Sequence, residues 1–160
     1  MSATFIQSPL NLIRARLATG DESAPMFDRN LLRDAEEVVA SMKDRFVDWA
    51  ETHIVELESH VEAVRAPGED WEQRIAQVWR SSFEIAGLAG TFDYGLLTAI
   101  AESMCRIVDS KTELTPQAFE ILVVHMNALK LVIGQRLSGD GGEAGARLMN
   151  NLHKAAAKAA

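Results

Sequence analysis

The sequence predicts an all-α fold, an antiparallel up-down-up-down four-helix bundle over about 44–65, 71–90, 93–108 and 116–137, with additional helices at both ends. Two observations predict it. Apolar residues recur every three or four positions along almost the whole chain from residue 28 onward, the spacing that gives a helix one dry face. The connections between the last three of these stretches are short, which forces successive helices to run antiparallel.

The 160 residues suit one compact domain of ordinary composition, 48% apolar and 24% charged. A division into a 1–27 N-terminal arm with a short helix and a 28–160 helical domain is expected. The net charge of −7 argues against a nucleic-acid partner, which selects a basic face, and against adsorption to an anionic membrane. Cys105 is the single cysteine, so no internal disulfide is possible and a reducing compartment fits. The opening MSATFIQSPLNLIRARLATG holds no long apolar run, so a cytoplasmic location is expected.

Taken in order, Ser8 and Pro9 form a cap and first-turn pair for a short helix over 9–18. Gly20 to Pro25 break it, and a loose arm is a simpler reading than a lid. From 28 to 66 the repeat is Ala35, Val39, Met42, Phe46, Trp49, Ile54, Leu57, Val61 and Val64. A helix that long exceeds the usual length, so a bend or short break near 41–44 is expected. His53, Glu56 and His60 share a face here, but no second ligand cluster accompanies them, and a solvated role is expected rather than a metal site.

Asp70 with Gln73 resembles a capping box for the next helix. On a wheel of 100° per residue its core stripe is Trp71, Ile75, Val78, Ser82, Ile85 and Ala89. Gln73, Gln77, Arg80, Ser81 and Glu84 form the wet side. A third stripe, Trp79, Phe83, Ala86, Gly87 and Gly90, borders the core. A glycine inside a helix costs about 1 kcal/mol relative to alanine, so two of them three residues apart need a reason: close helix packing, or a surface that something outside approaches.

Thr91 to Asp93 make a corner into a helix that buries Leu96, Leu97, Ile100, Met104 and Ile107. Thr115-Pro116 opens the next, whose inner face is Phe119, Leu122, Met126, Leu129 and Ile133. Ile121, Val124, Leu131 and Val132 make its other sides apolar too, so it is covered on two sides or helps form an interface. Ser138 to Gly142 is expected to be a flexible turn. A final alanine-rich helix over 143–158 carries Leu148 and Leu152 on one side.

The run Phe83-Glu84-Ile85-Ala86-Gly87, followed by Gly90-Thr91-Phe92-Asp93-Tyr94 and by Leu96-Leu97, Ile100 and Met104-Cys105, resembles the signature of the histidine-containing phosphotransfer (HPt) domain. That family carries phosphoryl groups between proteins of two-component signalling. The likeness spans about residue 31 to the C-terminus and is most specific in this middle segment. His125-Met126-Asn127-Ala128-Leu129 is similar to a His-x-Asp-Ala-Leu run on the last bundle helix of bacterial relatives, and is not the phosphoacceptor.

In the resemblance Phe83 stands at the phosphoacceptor histidine and Ala86 at the lysine. A phenyl ring has no lone pair to attack or release a phosphoryl group, and alanine supplies no charge to its oxygens. The resemblance therefore implies a non-catalytic member without cofactor or metal. It docks a response-regulator receiver domain or a histidine kinase through Trp79, Arg80, Phe83, Glu84, Ala86, Gly87 and Gly90. Two other readings compete with it. One is a phosphotransfer protein that uses His53, His60 or His125 instead; the other is a structural bundle in which Trp79 and Phe83 pack against a second copy as a homodimer.

Overall fold

The structure, a computed structural model, describes residues 29–66, 68–109 and 114–157. The expected arm over 1–27 and its helix over 9–18 lie outside the described residues. Within them the protein is all-helical, with five helices and no strand: α1 Arg29–Ala63, α2 Trp71–Thr91, α3 Gly95–Val108, α4 Pro116–Gly134 and α5 Gly142–Ala157. Packing divides the chain into two units, Met1–Val39 and Ala40–Ala160. Of the first unit the described part is the opening of α1, where Arg33 pairs with Asp34 and, one turn on, with Glu37.

The break expected as one possibility at 41–44 does not occur: α1 is continuous over its 35 residues. No glycine or proline occurs in that span, so nothing interrupts its i→i−4 hydrogen bonds. The expected inner stripe is also shorter than the sequence suggests, because Ala35, Val39 and Met42 are exposed. Burial begins at Phe46, whose ring lies 4.9 Å from that of Phe92 and 5.2 Å from that of Tyr94. From there Val47, Ala50, Ile54, Leu57, Val61 and Val64 continue one buried face.

The turn between α1 and α2 is closed by an arginine rather than by the capping box. Asp70 has φ −91° and ψ 18° and its side chain caps no amide, since only an extended backbone would aim the carboxylate back at the first turn. Arg74 instead donates from Nη1 to the carbonyls of Ala63, at 2.6 Å, and Ala66, at 3.2 Å. A cation at the end of α1 satisfies carbonyls that have no helical partner and meets the negative end of the helix dipole.

In α2 the core stripe is as expected, with Val78, Ser82, Ile85 and Ala89 fully buried and Trp71 and Ile75 packed at its edge. Its end is a left-handed cap. The Phe92 and Tyr94 amides both donate to the Ala89 carbonyl, at 3.2 and 2.9 Å, and Asp93 between them has φ +65°. The same device ends α4 at Gly134, three residues before the expected Leu137. Arg136 has φ +51°, and the Leu137 amide reaches back to Val132 at 3.0 Å. Both caps use a non-glycine residue where glycine is usual.

α3 buries Leu96, Leu97, Ile100, Ala101 and Met104. α4 begins as expected, with the Thr115 hydroxyl accepting from the Ala118 amide and Pro116 in the first turn. Its inner residues Phe119, Leu122, Met126, Leu129 and Ile133 are buried, and so are Ile121 and Val132 on its other sides. Val124 and Leu131 remain 47% exposed.

The glycine-rich segment after α4 is tied down rather than loose. The Gly139 amide donates to the Asp93 carbonyl, and the Gly139 carbonyl accepts from Leu96 at 2.8 Å. At Gly145, in the first turn of α5, a Cβ would lie 2.0 Å from the Asp140 carbonyl oxygen. Only glycine allows the turn to approach that closely. Leu152 then anchors α5, with Leu148 and Met149 packed beside it.

Because Asp93 holds a left-handed conformation, Asp93→Gly relieves backbone strain and is expected to raise stability by about 0.5 kcal/mol, even with the exposed Lys43–Asp93 pair lost. Asp93→Val, branched at Cβ, is expected to lower it by about 1–2 kcal/mol. Urea unfolding of the three proteins measures both changes.

Candidate functional site

The surface that the sequence singled out is one side of α2. The Trp79 and Phe83 rings lie parallel, 5.0 Å apart with 9° between their planes. Trp79 is 38% and Phe83 59% exposed. Side chains four residues apart meet on a helix, so the two rings shield each other while their outer faces stay in water. One turn beyond Phe83, among the described residues, a Cβ on Gly87 would meet nothing within 4 Å, and one on Gly90 would touch only Thr98 Oγ1 at 3.5 Å. The helix therefore presents two bulky rings followed by a bare backbone.

Arg80 and Glu84 are exposed on the flank of this stripe. Ala86 is not part of the surface. It is 7% exposed and belongs to the core cluster, and its carbonyl accepts from Thr98 Oγ1 at 3.1 Å. The expectation that Ala86 contacts a partner is thus corrected: α3 lies against that edge of α2 and covers it. A lysine at this position would have to carry its stem out through the α2–α3 seam.

Beside Trp79 the structure adds a feature that sequence reading missed. Ile75, Ala76, Trp79, Arg80, Val108 and Asp109 line a shallow depression of about 360 Å³. Val108 and Asp109 come from the far end of α3, some thirty residues away in the chain, and no pattern within α2 could have indicated them. Cys105 lies under the same edge, its thiol 3.6 Å from the Trp79 carbonyl. Burial, reinforced by the nearby Glu102, pushes that thiol up to about 11. It stays protonated near neutral pH and is a poor nucleophile.

None of the three histidines considered at the outset lies on the aromatic stripe. His53 stacks on Trp49 at 4.0 Å and donates from Nδ1 to the Trp49 carbonyl at 2.9 Å. His60 bonds through Nδ1 to Ser81 Oγ at 3.0 Å. His125 is fully buried; its Nδ1 donates to the Ile121 carbonyl at 2.8 Å, and its Nε2 accepts from the Ser103 hydroxyl at 3.0 Å. Both ring nitrogens are used in a dry interior, which is a structural role. Among the described residues no cluster of three or more His, Cys, Asp or Glu side chains could hold a metal ion.

Comparison with known protein families, with curated proteins and with solved structures finds no match to this chain.

Two measurements follow from this geometry. Gly87→Ala adds a methyl group where nothing obstructs it and removes a helix-interior glycine, so it is expected to stabilise the protein by about 0.5–1 kcal/mol in thermal or urea unfolding. Burial holds His125 below its ordinary value of 6.5. The unfolded chain therefore takes up a proton there that the folded chain refuses, and stability is expected to fall as pH drops below about 6.5. Melting midpoints between pH 7.5 and 5.5 should show this slope, and His125→Gln should flatten it.

Proposed function

We propose that this protein is a non-catalytic docking module of two-component signalling, a phosphotransfer-like bundle that kept the partner-binding helix and lost the relay chemistry. The observation that carries the reading is the state of Phe83. At the position of the phosphoacceptor in the resemblance, a ring stands 59% exposed, stacked on Trp79 and followed by the open Gly87. A relay histidine needs such a protruding site to meet the partner's reacting group, and an apolar ring there offers contact area instead of chemistry.

The architecture that goes with this reading is an up-down-up-down arrangement of α1, α2, α3 and α4. Its support is the order of the cross-helix contacts. Phe46 meets Phe92 while His60 meets Ser81. Ala86 meets Thr98 while Trp79 meets Cys105. Asp44 meets Arg136 while Glu58 pairs with Lys130. In each pair one helix advances as the other retreats. The partner in this reading is a receiver domain or a histidine kinase, and the location is the cytoplasm. α4 is long and apolar enough to cross a membrane by length and composition, but more than half of its most apolar window is buried inside the protein.

Phosphoryl transfer provides the first test. Incubated with a labelled phospho-receiver, the protein is expected to acquire no acid-labile label; label that disappears with His125→Gln would refute the non-catalytic reading. Binding provides the second. Gly87→Trp is expected to leave the melting midpoint nearly unchanged, because the site is open, and to weaken receiver binding at least about tenfold by holding the partner off Phe83. Full binding by a folded Gly87→Trp variant would remove the docking reading.

A further inference from the structure

The same stripe of α2 is complementary to itself. Relative to Trp79, Phe83 stands at about 40° around the helix, Gly87 at 80°, Ala76 at 60° and Gly90 at 20°, so these five residues form one band centred on Phe83. Arg80 and Glu84, at about 100° and 140°, lie together on one flank. If a second α2 is laid antiparallel across the first at about −50°, the crossing that sets i±4 rows such as Trp79–Phe83–Gly87 against each other, with a two-fold axis at Phe83, residue n of that row meets residue 166 − n. Trp79 then faces Gly87, and Phe83 faces its own copy.

We infer that α2 pairs with α2 of a second copy of this chain, large residues against small, around a two-fold axis at Phe83. Shape is the first support: the bare backbone at Gly87 receives the indole of Trp79, and helices with glycine at the contact can approach to the close end of the usual 8–10 Å range. Charge is the second. A two-fold of this kind keeps each flank on its own side, so Arg80 of one copy lies beside Glu84 of the other, offset by two residues or about 3 Å along the axis. Among the described residues neither has an ion-pair partner within its own chain, although other charged side chains on this protein do. The contact is isologous, so both Arg80–Glu84 pairs form at once.

The inference does not depend on the receiver reading, but the two share a face, and pairing and docking would compete for Phe83. Sedimentation equilibrium of the full chain up to a few hundred micromolar tests it directly. A dimer is expected; a monomer at every concentration would overturn the proposal while leaving receiver docking untouched. Reversing either charge alone, Arg80→Glu or Glu84→Arg, places like charges across the contact and is expected to weaken the dimer about tenfold or more. The double reversal should restore it. A dimer indifferent to both single reversals, or not rescued by the double, would overturn the two-fold at Phe83. Both positions are exposed, so folding is expected to survive and is checked by circular dichroism. In a Cys105→Ser background, Phe83→Cys is expected to form a disulfide-linked dimer on mild oxidation and Leu88→Cys, on the opposite side of α2, is not. The reverse pattern would overturn the proposal.

Discussion

The Ala89 carbonyl at the end of α2 accepts two amides, from Phe92 and from Tyr94, and that double acceptance forces Asp93 into the left-handed region. Much of the rest is hung on this corner. The Asp93 carbonyl then accepts from Gly139, and the Gly139 carbonyl from Leu96, so the start of α3 and the turn before α5 are pinned to the end of α2. Phe92 and Tyr94, thrown inward by the reversal, supply the rings on which Phe46 of α1 packs. A single non-glycine residue at positive φ thus links most of the helices through backbone bonds and one aromatic cluster. Its strain of about 1 kcal/mol is small beside the burial it organises.

The corner also decides which side of α2 faces water. With α3 brought back antiparallel against Ala86, at the Thr98 hydroxyl, and against Trp79, at the Cys105 thiol, one edge of the third stripe is covered and the other is left open. Phe83 and Gly87 lie on the open edge. The stacking of Trp79 on Phe83 lowers the cost of leaving two large rings there, since each hides one face of the other. The glycines work the other way, each weakening the helix by about 1 kcal/mol.

The buried polar groups divide by whether their bonds are complete. His125 is fully satisfied between Ser103 and Ile121 and locks α3 to α4 in one register. Its neutrality follows from burial, with His153 and Arg106 nearby adding further reason not to take up a proton. Among the described residues Ser82, equally buried, has no hydrogen-bond partner for its hydroxyl.

Periodicity by itself determined the helical class, the core stripe of α2 from Val78 to Ala89, the inner face of α4 and the Thr115–Pro116 start, because each depends only on the pitch of a helix or on the chemistry of its first turn. The exposed aromatic pair was legible for the same reason: Phe83 lies far enough around the wheel from Ile85 that no single core can bury both. Tertiary structure decided the rest. Ala86 sits near the boundary angle, and whether it is covered depends on where α3 returns. Ala35, Val39 and Met42 carry the right spacing for burial yet are exposed, since spacing shows which residues share a face and not whether a neighbour reaches it. The left-handed caps at Asp93 and Arg136 carry no glycine to announce them. The Arg74 bridge to Ala63 and Ala66, the depression closed by Val108 and Asp109, and the tie from Gly139 to the corner all join residues distant in sequence, where side-chain pattern along a single helix holds no information.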